Sequence, residues 1–455
     1  MPTPATIAVI DIGKTNAKVV LIDTASAAQI DVLSMPNKPV AAGPYPHADV
    51  EGLWAFILAS LKTLNERHGI SAISITTHGA TAALVAGDGL ALPVLDYEHE
   101  GPEETGAEYA TARPDFAESY SPRLPNGLNL GAQIFWQSRR FPREFARVEA
   151  ILTYPQYWAW RLTGIKASEV TSLGCHTDLW APDRGDFSSI VAAEEWGRLF
   201  PAVKPAASTL GPILPGIAAK TGLAADTPVA CGIHDSNASL LPHLGRNETP
   251  FTVISTGTWT ICMTVGGATT GLDRERDSLA NVDAFGRPVP TARFMGGREF
   301  DTLAAGAAAP GEAELDRVIR DGVQVLPTFI AGVGPFPHGK GRWTTAPEGL
   351  APGERYAAAS LYLALVAEAA LSLCGIGKRI VIEGPLARNA LFGAALARVA
   401  GVPVTASADA TGTSLGASLL LAPLDGRGHE PEALMPLAHD GFAAYREAWR
   451  ARAGT

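Results

Sequence analysis

The chain has little of what builds the commoner kinds of site. Cysteine occurs only four times in 455 residues, at Cys175, Cys231, Cys262 and Cys374, with no C-x-x-C pair. That spacing excludes a zinc ribbon and a disulfide framework; buried thiols in a reducing cytoplasm are the simpler reading. Charge is also sparse, at 18% of residues, and acids outnumber bases by 46 to 36 for a net charge of −10. An excess of that sign argues against nucleic acid or an anionic membrane as partner, although it leaves room for a locally positive anion site. There is no G-x-x-x-x-G-K-[ST] loop, no G-x-G-x-x-G after the first strand-like run and no H-E-x-x-H. Three common routes to nucleotide and zinc chemistry are thereby closed. No apolar stretch is expected to reach the roughly 18 uninterrupted residues of a membrane-spanning helix. Residues 1–6 have no basic n-region and lead toward a strand, which is not a signal-peptide pattern.

Two similar segments stand out against this background. Ile7 to Asp23 is an apolar β-like run, a turn containing Asp11, Gly13, Lys14, Thr15 and Asn16, and a second β-like run carrying Lys18. Phe251 to Val265 repeats the plan around Thr256, Gly257 and Thr258. A tight hairpin with glycine and short hydroxyls directs backbone N–H groups and side-chain donors into one small space, which suits a polyphosphate. Asp11 adds a carboxylate that can hold Mg²⁺ directly or through water. A single D-x-G turn between strands is common; two such hairpins suggest two similar half-molecules sharing one nucleotide.

The chain is too long for one core, and its hydrophobic fraction of 47% is ordinary for a folded protein. Spacing of three and four predicts a helix over 53–67, and 70–77 reads as a strand. Runs at 82–85 and 92–95 flank Gly87-Asp88-Gly89 as a hairpin. Helices are expected at 133–147 and 155–162, and loops around a short helix at 209–223. An apolar strand at 228–233 should lead into a helix at 238–244. Further on, 361–373, 389–400 and 413–421 read as helices, 379–383 and 402–405 as strands, and 332–341 as a surface loop. This order builds mixed sheets flanked by helices. The boundary is placed near 245, giving an N-terminal domain 1–245 and a C-terminal domain 246–455.

His234-Asp235-Ser236 follows the apolar strand. Residues just past a strand's C-terminal end line the ligand crevice of an α/β sheet, and a carboxylate there suits a general base for a hydroxyl. The bland alternative is that Asp235 caps the next helix. His78-Gly79 and Glu383-Gly384-Pro385 occupy comparable turns; each is either a ligand contact or an ordinary connection.

On these residues the chain resembles the FGGY carbohydrate kinases, most nearly the rhamnulokinase and fuculokinase branch. The likeness runs from Ile7 to about Leu421. It rests on the Asp11 hairpin, on Tyr157-Trp158-Ala159-Trp160-Arg161-Leu162-Thr163-Gly164, on Glu169-Val170-Thr171-Ser172, on His234-Asp235-Ser236, on Ser255-Thr256-Gly257-Thr258-Trp259 and on the block from Glu383 to Val404. The resemblance implies the two-domain α/β fold of the sugar kinase, hexokinase and actin-like ATPase group, related to ribonuclease H. It also implies an ATP- and Mg²⁺-dependent kinase that phosphorylates a terminal hydroxyl of a small ketose of the L-fuculose or L-rhamnulose type. Asp235 would be the catalytic base. His78, Gly79, His234, Ser236 and Arg293 would contact the sugar. Gly13, Lys14, Thr15, Asn16, Lys18, Thr256, Gly257, Thr258, Asp301 and Gly384 would contact the nucleotide, and Asp11 the metal. The sugar site and first hairpin would then belong to the N-terminal domain, the second hairpin and adenosine loop to the C-terminal one. His78 stands where the family has tryptophan, and Arg293 where rhamnulokinases have asparagine, so a pocket unlike that for L-rhamnulose is expected. A polyol or pentulose kinase, a non-catalytic actin-like nucleotide binder and a homodimer remain open alternatives.

Overall fold

In the computed structural model, which describes residues 3–245, 247–407, 412–422 and 432–454, the apolar N-terminal run becomes the middle of a mixed sheet. The strand Thr6–Ile12 pairs antiparallel with Asn16–Asp23, which pairs antiparallel with Ala28–Pro36. On its other edge Thr6–Ile12 pairs parallel with Ala72–Thr77 after a crossover through the helix Val50–His68. Ala72–Thr77 is buried on both faces, as a central parallel strand should be. Beyond it lie Pro228–Ala230 and then Thr209–Pro212, which gives the sheet its outer strand where loops around a short helix were expected. The apolar run at 228–233 is not continuous. It breaks at Gly232, whose φ of +93° suits glycine alone, and resumes as Ile233–His234, again parallel to Ala72–Thr77.

Two other expectations need correcting. Ala82–Ala86 turns at Gly87 into only the short strand Gly89–Leu90, and residues 92–95 form no strand. The main partner of Ala82–Ala86 is Ala150–Thr153, which is 65 or more positions away by the register Ala82↔Thr153 to Val85↔Ala150 and so invisible to local pattern. The helix after His234 begins at Asp235 and runs to Leu244, three residues earlier than apolar spacing predicts.

A second sheet repeats the order of the first. Pro288–Phe294, Thr260–Val265 and Phe251–Thr256 are successive antiparallel neighbours; Phe251–Thr256 then pairs parallel with Ile380–Glu383, which pairs parallel with Val404–Ala406. Its covering helix is Pro352–Cys374, 23 residues long. By length and composition this helix could cross a membrane, contrary to the sequence expectation, but 89% of its apolar window is buried inside the protein. Leu361, Leu363, Leu365 and Leu371 are fully buried in the hydrophobic core of this half.

The chain divides into two compact units, one of residues 1–246, 280–287 and 411–428, the other of 247–279, 288–410 and 429–455. The short helix Gly412–Ser418 therefore belongs with the N-terminal sheet, although a division at 245 assigns it to the other half. Its small residues explain how: a Cβ at Gly416 would lie 1.7 Å from the carbonyl oxygen of Ala238, so only glycine permits the approach to the helix Asp235–Leu244.

Candidate active site

Parallel register brings the N-terminal candidates together. Asp11 lies level with Thr76 and Ile12 with Thr77, while Ile233 and His234 are level with Thr76 and Thr77. Asp11, His78 and Asp235 thus emerge at the carboxyl ends of neighbouring strands, where crossover topology leaves a crevice.

Asp235 Oδ1 accepts from the backbone amide of Ser236 at 2.6 Å and from the Ser236 hydroxyl at 3.3 Å. Desolvation by surrounding protein raises its pKa, and the interaction with nearby His78 and the hydrogen bonds from Ser236 only partly offset this. A carboxylate so raised is a better proton acceptor at neutral pH than an exposed aspartate. His234 Nε2 lies 3.1 Å from Asp235 Oδ1. Burial pushes His234 down to about 4, so the ring is neutral at pH 7. The amide of Asn237 approaches His234 Nδ1 at 3.4 Å. Nδ1 is then the acceptor and Nε2 carries the proton, with the sulfur of Cys175 3.5 Å away as its hydrogen-bond partner. Asn237 was not anticipated; its position three residues after His234, in the first turn of the same helix, is the signal that could have found it.

His78 is likewise lowered by burial, and its Nδ1–H donates to the carbonyl of Gly79 at 2.9 Å. Its ring packs near Tyr97 and Tyr154, with centroids 5.5 and 5.2 Å away. Gly79 has no room to be anything else: a Cβ would sit 2.8 Å from His234 Nε2. A small cleft opens between His78, Thr81, Tyr97, Asp96 and Lys14.

Lys14 does not extend from its turn. Its ammonium pairs with Asp96, lies 3.3 Å from Glu98 and sits over the Tyr97 ring at 4.5 Å. Sequence reasoning missed this Asp96-Tyr97-Glu98 segment, because no periodicity marks a loop that turns back on a hairpin 82 residues earlier. The turn itself is held by Gly13 N–H to Asn16 O at 2.9 Å and by Asn37, whose side chain donates to Gly13 O at 2.8 Å. Thr15, Asn16 and Lys18 are exposed. Lys18 faces Asp11 across the strand pair. Burial raises the Asp11 carboxyl, with Ser414 Oγ donating to it at 2.8 Å, Lys18 opposing the rise and Asp235 adding to it. Two carboxylates that disfavour each other's charge suit a cation between them and phosphate oxygens. Among the described residues no cluster of three or more His, Cys, Asp or Glu side chains forms a ready metal cage. Mg²⁺ does not need one, since it keeps waters and takes phosphate oxygens as ligands.

The C-terminal candidates divide. Gly257 and Thr258 are exposed at the hairpin tip, where Gly257 N–H donates to Trp259 O at 2.8 Å. Thr256 is buried; its hydroxyl donates to Glu383 O at 2.5 Å and accepts from Leu386 N at 3.0 Å. That bond fixes the Glu383-Gly384-Pro385 turn. Gly384 has φ +83°, and a Cβ there would meet Thr256 O at 1.9 Å. Arg293 is already paired: Nε donates to Asp277 Oδ1 at 2.8 Å, and the guanidinium lies 5.0 Å from the Trp259 ring centroid. Asp301 is exposed on the helix Gly296–Leu303. Glu299 on that helix is buried and accepts from Tyr362 OH at 2.7 Å and from the amides of Phe329 and Ile330 at 2.9 and 3.3 Å.

Two sheets of one topology, each with a glycine-containing hairpin, define the class of two-domain α/β carbohydrate kinases with an actin-like fold. Models of that class match the chain twice: "FGGY family of carbohydrate kinases, N-terminal domain" at residues 124–242, and "Carbohydrate kinase FGGY, C-terminal domain" at 248–430. A solved carbohydrate kinase from Novosphingobium aromaticivorans is 39% identical, with TM-score 0.92, covering 100% of this chain and 99% of that one. The chain therefore belongs to the FGGY family. Two curated relatives are more distant. The L-xylulose/3-keto-L-gulonate kinase of Escherichia coli (strain K12) is 28% identical over 165 residues, 35% of this chain and 31% of that protein. The L-fuculokinase of Salmonella typhi is 25% identical over 272 residues, 57% of each chain. The chain thus spans about a third and somewhat over half of the length of these curated relatives.

Proposed function

We propose that this protein transfers the γ-phosphoryl group of ATP to a terminal hydroxyl of a small ketose, with Asp235 as general base. The observation that carries the reading is the raised Asp235 carboxylate, flanked by two histidines that burial keeps from charging. A neutral His234 lies 3.1 Å from Asp235 and so does not neutralise the base. Phosphoryl transfer asks mainly for positioning and charge stabilisation, so one base and a metal–nucleotide complex suffice. Asp235 takes the proton of the attacking hydroxyl, while His78, Gly79, His234 and Ser236 hold the sugar. Arg293 is left out of the sugar set because its charge is spent on Asp277. Gly13, Thr15, Asn16, Gly257 and Thr258 supply amides and hydroxyls for phosphate, Lys18 a countercharge, and Gly384 the flat approach for adenosine. Mg²⁺, held through Asp11, would neutralise phosphate charge. Four buried free cysteines support a reducing cytoplasm as the working compartment.

A pentulose acceptor is a second reading, favoured by the likeness to an L-xylulose/3-keto-L-gulonate kinase. The test is a coupled ADP-release screen over ketoses, aldoses and polyols, with kcat/KM compared for L-fuculose, L-rhamnulose, L-ribulose and D-xylulose. Sugar-dependent ADP release is expected, with L-rhamnulose not preferred. Absence of any sugar-stimulated release would overturn the kinase reading in favour of a nucleotide-binding protein.

A further inference from the structure

The strand that delivers the proposed base is unusually short. Ile233–His234 has two residues and pairs with Ala72–Thr77. The amide of His234, one residue before Asp235, donates not to another strand but to the hydroxyl of Thr171 at 3.0 Å. An oxygen that accepts there must send its own proton elsewhere, and it does: Thr171 Oγ1 donates to Glu169 Oε2 at 2.5 Å. Glu169 is fixed in turn by the amides of Thr171 at 2.9 Å and Ser172 at 3.2 Å. Both Glu169 and Thr171 have no exposed surface.

Helix capping does not account for this arrangement. Glu169 caps a helix of only four residues, Val170–Leu173. An exposed serine or aspartate caps a helix as well, without the cost of burying a carboxyl. Capping also uses the backbone amides alone and leaves the Thr171 hydroxyl without a reason to be there. The hydroxyl acquires one when the sheet is considered. It stands in for the missing strand on the free edge of Ile233–His234, and the buried carboxylate fixes which way the hydroxyl points.

We infer that Glu169 and Thr171 are positioning residues for Asp235: the chain from the His234 amide through the Thr171 hydroxyl to the Glu169 carboxylate sets where the general base stands. The inference rests on the kinase reading above. Neither residue touches substrate in this scheme. Each acts through the His234 peptide, and an error of about 1 Å in the position of a reacting group can cost roughly a hundredfold in rate.

The experiment uses the full chain and the best sugar from the ADP-release screen. Thr171→Val keeps the shape and removes the link; Thr171→Ser restores the hydroxyl; Thr221→Val removes an equally buried threonine hydroxyl that donates only to Ile217 O within its own helix. Expected for Thr171→Val is a fall in kcat of about ten- to a hundredfold, with the KM for ATP changed less than about threefold, as for loss of an interaction that matters only in the transition state. Thr171→Ser should recover most of the loss, and Thr221→Val should keep wild-type kcat. If Thr171→Val does not fold, Glu169→Gln reads the same link, since an amide cannot accept all three donors, and it too should lower kcat with KM for ATP held. Wild-type kcat in the folded Thr171 and Glu169 variants would overturn the inference while leaving the kinase reading intact. An equal loss in Thr221→Val would also overturn it, as general destabilisation. A wild-type protein inactive on every sugar would overturn the kinase reading, and this inference with it.

Discussion

The strands Thr6–Ile12 and Phe251–Thr256 hold the same place in their sheets, each antiparallel to its successor and parallel to a buried strand on the other side. One residue before the end of each stands a different group, Asp11 in the first and Ser255 in the second. The turns differ by one residue as well. Ile12↔Ala17 leaves four residues between its ends, and Thr256↔Thr260 leaves three. In the N-terminal hairpin the Asp11 carboxyl at the strand end lies partly buried near Lys18 and Asp235, with Ser414 donating to it. In the C-terminal hairpin the last hydroxyl, Thr256, is consumed in pinning a neighbouring glycine turn. One topology thus ends in a raised carboxylate in one unit and in a hydroxyl fixed to a glycine turn in the other. The raised carboxylates near the proposed transfer, Asp11 and Asp235, both belong to the first.

That contrast can be broken most directly at Asp235. Asp235→Asn should lower kcat by about a hundred- to ten-thousandfold, the usual range for a lost general base, while nucleotide affinity changes less than about tenfold. Steady-state ADP release beside a nucleotide titration checks it, and near-normal turnover would remove Asp235 as the base.

The equivalent positions come next. Asp11→Asn should cost about a hundredfold in kcat, on the scale of one lost charge-stabilising group. Ser255→Ala should cost less than about threefold, because no charge is removed there. Equal losses in the two variants would mean that the hairpins do the same work.

A stability comparison sharpens the C-terminal side of the contrast. Gly384→Ala puts a Cβ at 1.9 Å from Thr256 O on a backbone with φ +83°, and should lower unfolding free energy by about 1–3 kcal/mol. Gly13→Ala meets only Asn16 O at 3.2 Å and should cost under about 1 kcal/mol. Denaturant melts of the two variants give the order.

The smallest effect concerns pH. Burial raises the Glu169 carboxyl from 4.5 to about 7, and Glu299 is raised for the same reason. A group whose folded pKa is raised contributes stability that is full below its unfolded value and is lost as pH rises through the folded one. The two carboxyls should therefore each lose stability between about pH 5 and pH 8, against the opposite contribution of His234 below about pH 6.5, and Glu169→Gln should make the fall above about pH 6.5 shallower. A slope unchanged in this variant would mean that Glu169 does not titrate in the window.

Much of the architecture was legible because it is written in local period and in turns. Apolar runs from 7, over 70–77 and over 379–383 marked the strands found at 6–12, 72–77 and 380–383, and paired glycine hairpins marked the doubling of the fold. What failed did so where partners are distant. Residues 92–95 look like half of a hairpin until Ala150–Thr153 takes the place beside Ala82–Ala86. The apolar run reads as a helix only over 361–373, yet Pro352–Cys374 is long and apolar enough to pass as a membrane span; burial within its own unit makes it a core helix.

The site divides along the same line. Sequence by itself determined which residue types end which strands: an acid at 11, a histidine and glycine at 78 and 79, a histidine and acid at 234 and 235. It determined them because strand ends and turns are local, and chemistry at such ends follows from residue type. Only the tertiary structure decided what each group does with its neighbours. Parallel register set Asp11, His78 and Asp235 on adjacent strand ends, burial kept His234 neutral, and Asp96 drew Lys14 aside from its turn. It also spent Thr256 and Arg293 on Glu383 and Asp277, and tied His234 to Glu169 through Thr171. Those outcomes depend on desolvation and on distances of a few ångströms between segments tens to hundreds of residues apart, and no local pattern carries that information.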